Sequence, residues 1–116
     1  MTLLSEIQPN KVYLLNSPVL TRYGCYEFTG PLSVSSAKHE LAGGFVSAVG
    51  HETTAQFLSM LLDQHCPHQR QAITMMSGDR AVVFTIKPRL AEGSNLDMSE
   101  ISNLNYSLDL LICRAV

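Results

Sequence analysis

The chain has 116 residues, 46% of them apolar, which is enough for one packed domain and too few for several. Its formal net charge is −2, and its eight lysines and arginines are scattered from Lys11 to Arg114, so no basic tail or stripe exists to coat duplex nucleic acid. No apolar run approaches the roughly 20 residues that cross a bilayer, no basic stretch followed by an apolar one marks a secretory signal, and three cysteines without paired spacing fit free thiols in a reducing cytoplasm.

Residues 1–10 read as a loose lead-in, and residues 11–116 as a single domain. Val12-Tyr13-Leu14-Leu15 is an apolar run of strand length, ended by Asn16-Ser17-Pro18. Tyr26-Glu27-Phe28 alternates as a weaker second strand. A short helix is expected from Ser33 to Leu41, capped by Ser33 or Ser35 and stopped by Gly43-Gly44, with Val34, Ala37 and Leu41 on one face. Phe45 to Val49 follows as a strand apolar enough to be buried on both faces.

A clearer helix begins after Gly50-His51, with Thr53 or Thr54 as its expected N-cap. Ala55, Leu58, Leu61 and Leu62 recur at helical spacing, and the helix ends before Pro67. Ala72–Met76 and Ala81–Ile86 are expected to pair as a hairpin through the turn Ser77-Gly78-Asp79. Arg89 to Gly93 reads as a loop, Ser99 as the cap of a short helix through Ile101 and Leu104, and Leu108 to Val116 as a last strand or edge segment. The order implies an α/β domain with a small mixed β-sheet flanked by helices, part of one face uncovered and free to dimerise. Sheets of this kind bind ligands beyond the carboxyl ends of parallel strands. Asn16-Ser17 and Gly50-His51 are expected at such ends, and Arg89 follows another strand.

Gly50-His51 is the sharpest local feature. Gly50 lets the backbone turn tightly. His51 precedes the unpaired N–H groups of a helix start, where the dipole favours an anion such as phosphate. A phosphate would favour imidazolium, which can protonate a leaving oxygen. The same position also suits a histidine that only caps or packs. Arg89 and Glu92 lie three apart: arginine can grip a phosphate with two donors and glutamate can orient or deprotonate a hydroxyl, or the two can form a solvated surface pair. His65-Cys66-Pro67-His68 fails as a metal site, because Pro67 breaks the helix and no second cluster supplies ligands. Tyr13, Tyr23, Tyr26 and Tyr106 could stack on bases, with core or interface packing the simpler use for most.

Four segments in order carry a family resemblance: Tyr13-Leu14-Leu15-Asn16-Ser17-Pro18-Val19-Leu20-Thr21, Tyr26-Glu27-Phe28, Gly44-Phe45-Val46-Ser47-Ala48-Val49-Gly50-His51-Glu52-Thr53-Thr54-Ala55, and Arg89-Leu90-Ala91-Glu92-Gly93. Over residues 11–113 the chain resembles the viral and bacterial ring nucleases that counter or regulate type III CRISPR defence. The resemblance implies a homodimer with a ligand pocket at the subunit interface, enclosing cyclic tetraadenylate and cutting it to linear diadenylate without metal or cofactor. Composition and charge add the expectation of a cytoplasmic protein without membrane or duplex nucleic-acid partners. By resemblance, His51 matches the catalytic histidine, Arg89 and Glu92 match the loop pair at the scissile phosphate, and Arg70 matches a ligand-contacting arginine. Asn16 and Ser17, with Gly50 beside His51, match the phosphate-facing strand ends. The ten-residue lead-in and the Cys66-Pro67-His68 stretch depart from the pattern. Two other functions suit the same residues: a binding module of a mobile element that sequesters a cyclic nucleotide or pairs with a protein, and a small nucleic-acid-binding regulator, which the acidic balance disfavours.

Overall fold

The architecture comes from a computed structural model, which describes residues 10–18, 20, 22–87 and 105–115. Five strands and two helices follow in the order β1 (Val12–Leu15), β2 (Cys25–Thr29), α1 (Val34–Leu41), β3 (Val46–Ala48), α2 (Glu52–Leu61), β4 (Arg80–Lys87) and β5 (Asn105–Ala115). They build one mixed sheet with strand order β2-β5-β4-β1-β3. β1 lies between two parallel neighbours, with Leu15 opposite Ala48 of β3 and opposite Val83 of β4. β5 runs antiparallel to both β4 and β2.

The period-two alternation of the strands sorts side chains between two cores. Leu14, Val82, Phe84 and Leu108 face α1 and α2, where Ala37, Leu41, Ala55, Phe57, Leu58 and Leu62 complete one cluster. Phe57, Phe84 and Tyr106 meet there with ring centroids 5.5–5.8 Å apart, and each such pair contributes about 1 kcal/mol beyond its burial. Tyr13, Leu15, Ala81, Val83, Leu111 and Cys113 face the other way and pack under Met75. Both described helices thus share one cluster on one face, and the opposite face is covered in part by an irregular segment. Phe28 (52% exposed) and Val46 (37% exposed) leave that face partly apolar.

β1 has the bounds expected, and α1 is capped as expected by Ser33, whose hydroxyl accepts from the Ser36 N–H at 3.1 Å. The expected hairpin does not form. Residues 71–76 are not a strand, because both edges of β4 are already taken, by β1 on one side and β5 on the other. The turn itself is present: Gly78 has φ +91, a region glycine enters without strain, and the Asp79 N–H donates to the Met76 carbonyl at 2.9 Å. The buried Asp79 carboxylate then accepts from the N–H groups of Lys11 (2.9 Å) and Met76 (2.8 Å), tying the segment to the start of β1.

β3 is likewise not buried on both faces; it is an outer strand. The last strand, in contrast, is interior to the sheet, so its apolar residues serve both cores. The loop 89–93 and the helix expected after Ser99 lie outside the described residues. No helix among the described residues is long and apolar enough to cross a membrane.

Candidate functional site

Because β1 and β3 run parallel and in register, their carboxyl ends fall on the same edge of the sheet. Asn16 and Ser17 follow β1 there, half-buried, and Val49-Gly50-His51 follows β3. β4, parallel to β1, continues past Val83 to Lys87 toward that same edge. The strand order therefore gathers three chain crossings where open sheets bind ligands.

His51 is itself the N-cap of α2, two positions ahead of Thr53, the first of the two threonines expected as caps. Its backbone is extended, with φ −131 and ψ 121, and its carbonyl accepts the first helical bond from Ala55 at 3.0 Å. Its ring does not cap the helix. The half-buried imidazole instead places Nδ1 3.3 Å from the hydroxyl of Thr54, a residue only 3% exposed. The His51 side chain thus makes no capping bond, and the N–H groups of the first turn receive none from it.

The segment after α2 returns alongside β3. Val49 bridges His68 in parallel, and the Gln69 N–H donates to the Val49 carbonyl at 2.9 Å. The Ser47 hydroxyl donates to the Pro67 carbonyl, and the Gln71 amide donates to the Ser47 carbonyl, both at 2.6 Å. These four ties cover the outer edge of β3 and set Arg70 against Gly50. A Cβ at Gly50 would stand 3.2 Å from Arg70 Cγ, so the aliphatic stem of the arginine lies on the glycine backbone, one residue from His51. The guanidinium is carried by an exposed residue at the sheet edge where the histidine sits.

The structure therefore brings Gly50, His51 and Arg70 together and sets Asn16 and Ser17 after the neighbouring strand. Arg89 and Glu92 lie outside the described residues. Gln71 and Ser47 were not singled out from the sequence for the site, and Thr54 only as a helix cap. Thr54 had a signal, three residues beyond an N-terminal histidine, whereas the Val49–His68 bridge that places Gln71 joins distant residues and leaves no local pattern.

The remaining candidates fall elsewhere. His65 is exposed, Cys66 is buried with its N–H on the Ser59 hydroxyl at 2.9 Å, and burial pushes its thiol pKa up. Among the described residues no group of three or more His, Cys, Asp or Glu is placed to hold a metal ion. Tyr13 and Tyr106 belong to the two cores, while Tyr23 is fully exposed and, with Leu20, Arg22, Gly24 and Tyr26, lines an open cleft at the start of β2.

A family model described as STIV B116-like matches residues 12–108. The chain is 32% identical over 102 residues to uncharacterized protein 26 of Sulfolobus islandicus filamentous virus, covering 84% of this chain and 86% of that protein. It is 29% identical over 104 residues to uncharacterized protein YddF of Bacillus subtilis, covering 87% and 95%. Among solved structures it resembles B116 of Sulfolobus turreted icosahedral virus, with TM-score 0.68, 22% identity and coverage of 89% of this chain and 99% of that one. That likeness extends to the mixed five-stranded sheet with two helices.

Proposed function

We propose that this chain, which belongs to the STIV B116-like family, is a metal-independent ring nuclease that binds cyclic tetraadenylate between two subunits and cleaves it to linear diadenylate. The observation that carries this reading is the meeting of His51, Gly50 and Arg70 at the carboxyl edge of two parallel strands, beside a helix start whose cap side chain makes no capping bond. Helix N–H groups and a guanidinium favour a phosphodiester at that place, and a histidine there can act as an acid.

The chemistry suits these residues. A ribose 2′-oxygen attacks its neighbouring phosphorus in line, the bond to the 5′-oxygen breaks, and the His51 imidazolium gives its proton to the departing oxygen. Arg89 and Arg70 neutralise charge gathering on the phosphoryl oxygens, and Glu92 takes the 2′-hydroxyl proton. The products carry a 2′,3′-cyclic phosphate and a 5′-hydroxyl. Asn16 and Ser17 hold the ring through amide and hydroxyl groups. A twofold axis supplies two copies of His51 for two opposed phosphates of a four-membered ring, which halves it. Destroying such a messenger would switch off type III CRISPR signalling.

Val46 at one margin of the sheet and Phe28 at the other leave the face opposite the helices partly apolar, which supports the homodimer part of the reading. The direct test is incubation of the purified protein with cyclic tetraadenylate in EDTA. Tight binding with an unbroken ring after long incubation would favour a sequestering module instead.

A further inference from the structure

The first turn of α2 sets a buried hydroxyl against the histidine that precedes it. Thr54 stands three residues after the N-cap His51, the spacing at which a side chain in the first turn reaches back to the cap. Its Oγ1 is 3.3 Å from Nδ1, and the residue is 3% exposed. A buried O–H left without an acceptor is costly. Nδ1 of a neutral imidazole is the acceptor that this geometry offers, and it accepts only if the ring proton sits on Nε2. When the ring is protonated, Nδ1–H donates to the same oxygen, whose lone pairs accept it. One contact thus holds the ring in one orientation in both protonation states. A half-turn of the ring would put a carbon where Nδ1 now stands and lose it.

We infer that Thr54 is the positioning residue of His51: its hydroxyl fixes the ring so that Nε2, and not Nδ1, delivers the proton. This rests on the reading of His51 as the acid of ring cleavage. In that step the 2′-oxygen–phosphorus bond forms and the phosphorus–5′-oxygen bond breaks. The imidazolium passes its Nε2 proton to the departing oxygen and leaves the step with its Nδ1 proton on Thr54 Oγ1, while the 2′-hydroxyl proton goes to the Glu92 carboxylate; proton exchange with solvent then returns the ring to its resting Nε2-protonated form and Glu92 to the carboxylate.

Nitrogen-15 NMR of the His51 ring in the full-length protein, combined with turnover of cyclic tetraadenylate, tests the inference. In the wild type the neutral ring is expected to carry its proton on Nε2, with Nδ1 showing the shift of a hydrogen-bonded acceptor. Thr54→Val, which keeps the side-chain shape, moves Nδ1 to the shift of an unbonded nitrogen and lowers kcat at least about tenfold, with KM changed by less than about threefold. Thr54→Ser restores both readouts. A wild-type neutral ring protonated on Nδ1 overturns the inference without recourse to any variant. So does a Val variant with unchanged Nδ1 shift or unchanged kcat. If the wild type leaves the ring intact, the nuclease reading falls, and the NMR arm separately decides whether Thr54 orients the imidazole.

Discussion

The side chain of Arg70 lies across Gly50 so closely that a methyl group on the glycine would stand 3.2 Å from Arg70 Cγ, 3.6 Å from its Cβ and 3.7 Å from its Cδ. This contact joins a residue that follows β3 to one that follows α2, and it fixes where the guanidinium emerges relative to His51. Gly50→Ala introduces no left-handed backbone strain, so the arginine is the part that must give. The expected result is a change in unfolding free energy below about 1 kcal/mol and a loss in affinity for cyclic tetraadenylate of about three- to tenfold. Calorimetric titration in a His51→Ala background checks it. Unchanged affinity would show that the placement of Arg70 is irrelevant to the ligand.

A second expectation concerns the turn that replaces the hairpin. The Asp79 carboxylate, 3% exposed, accepts from the backbone N–H groups of Lys11 and Met76 at 2.9 and 2.8 Å. Hydrogen bonds to a charged group contribute about 1.5–3 kcal/mol each, and the donors left behind lose a buried partner. Asp79→Ala should destabilise the fold by about 3 kcal/mol in urea unfolding. A loss under about 1 kcal/mol would mean that water replaces the carboxylate there.

The ion pair between Glu40 on α1 and Arg80 on β4 should be visible in the acid limb of stability. Arg80 Nε and Nη2 donate to the two carboxylate oxygens at 3.0 and 2.7 Å. The hydrogen bond from Arg80 is the main cause holding the Glu40 pKa below its ordinary 4.5, and burial opposes it. A folded pKa below the unfolded one adds stability above the unfolded value, and that stability is lost as pH falls through the folded value. Because the side chains are 39% and 20% exposed, the contribution is discounted to about 0.5 kcal/mol. Glu40→Gln should lower stability at pH 7 by about that much and flatten its decline below pH 4.5. A decline as steep as the wild type's would assign the acid sensitivity to other carboxylates.

Val46 tests the association surface. It is 37% exposed on β3, opposite Tyr13 of β1, on the face that the helices leave open. Val46→Glu should weaken the proposed homodimer at least about tenfold in sedimentation equilibrium, since a charge buried in an apolar contact costs more than about 1.4 kcal/mol. A variant that associates as tightly as the wild type would place the interface elsewhere.

Much of the fold was readable locally, and the failures share one cause. Val12–Leu15, Ser33 as a cap, the helix after His51 and the turn at Gly78 depend on residues close in sequence, so period and capping chemistry suffice. Ala72–Met76 has the residues of a strand but finds no open partner, because β1 and β5 occupy both sides of β4. The position of β3 at the sheet's margin and of β5 inside it is also a matter of pairing between distant segments, which local apolar content does not encode. The same division holds at the site. Gly50 and His51 announce themselves as a strand-to-helix turn, whereas Arg70 reaches them through the bridge between Val49 and His68.

The measurement that bears most directly on the central proposal is product analysis after incubating cyclic tetraadenylate with wild-type protein and His51→Ala, both in EDTA. Wild-type protein should yield linear diadenylate with 2′,3′-cyclic phosphate ends, and His51→Ala should bind the ring while losing at least about a hundredfold in kcat. An intact ring after prolonged incubation with the wild type, or cleavage undiminished in His51→Ala, would contradict the account.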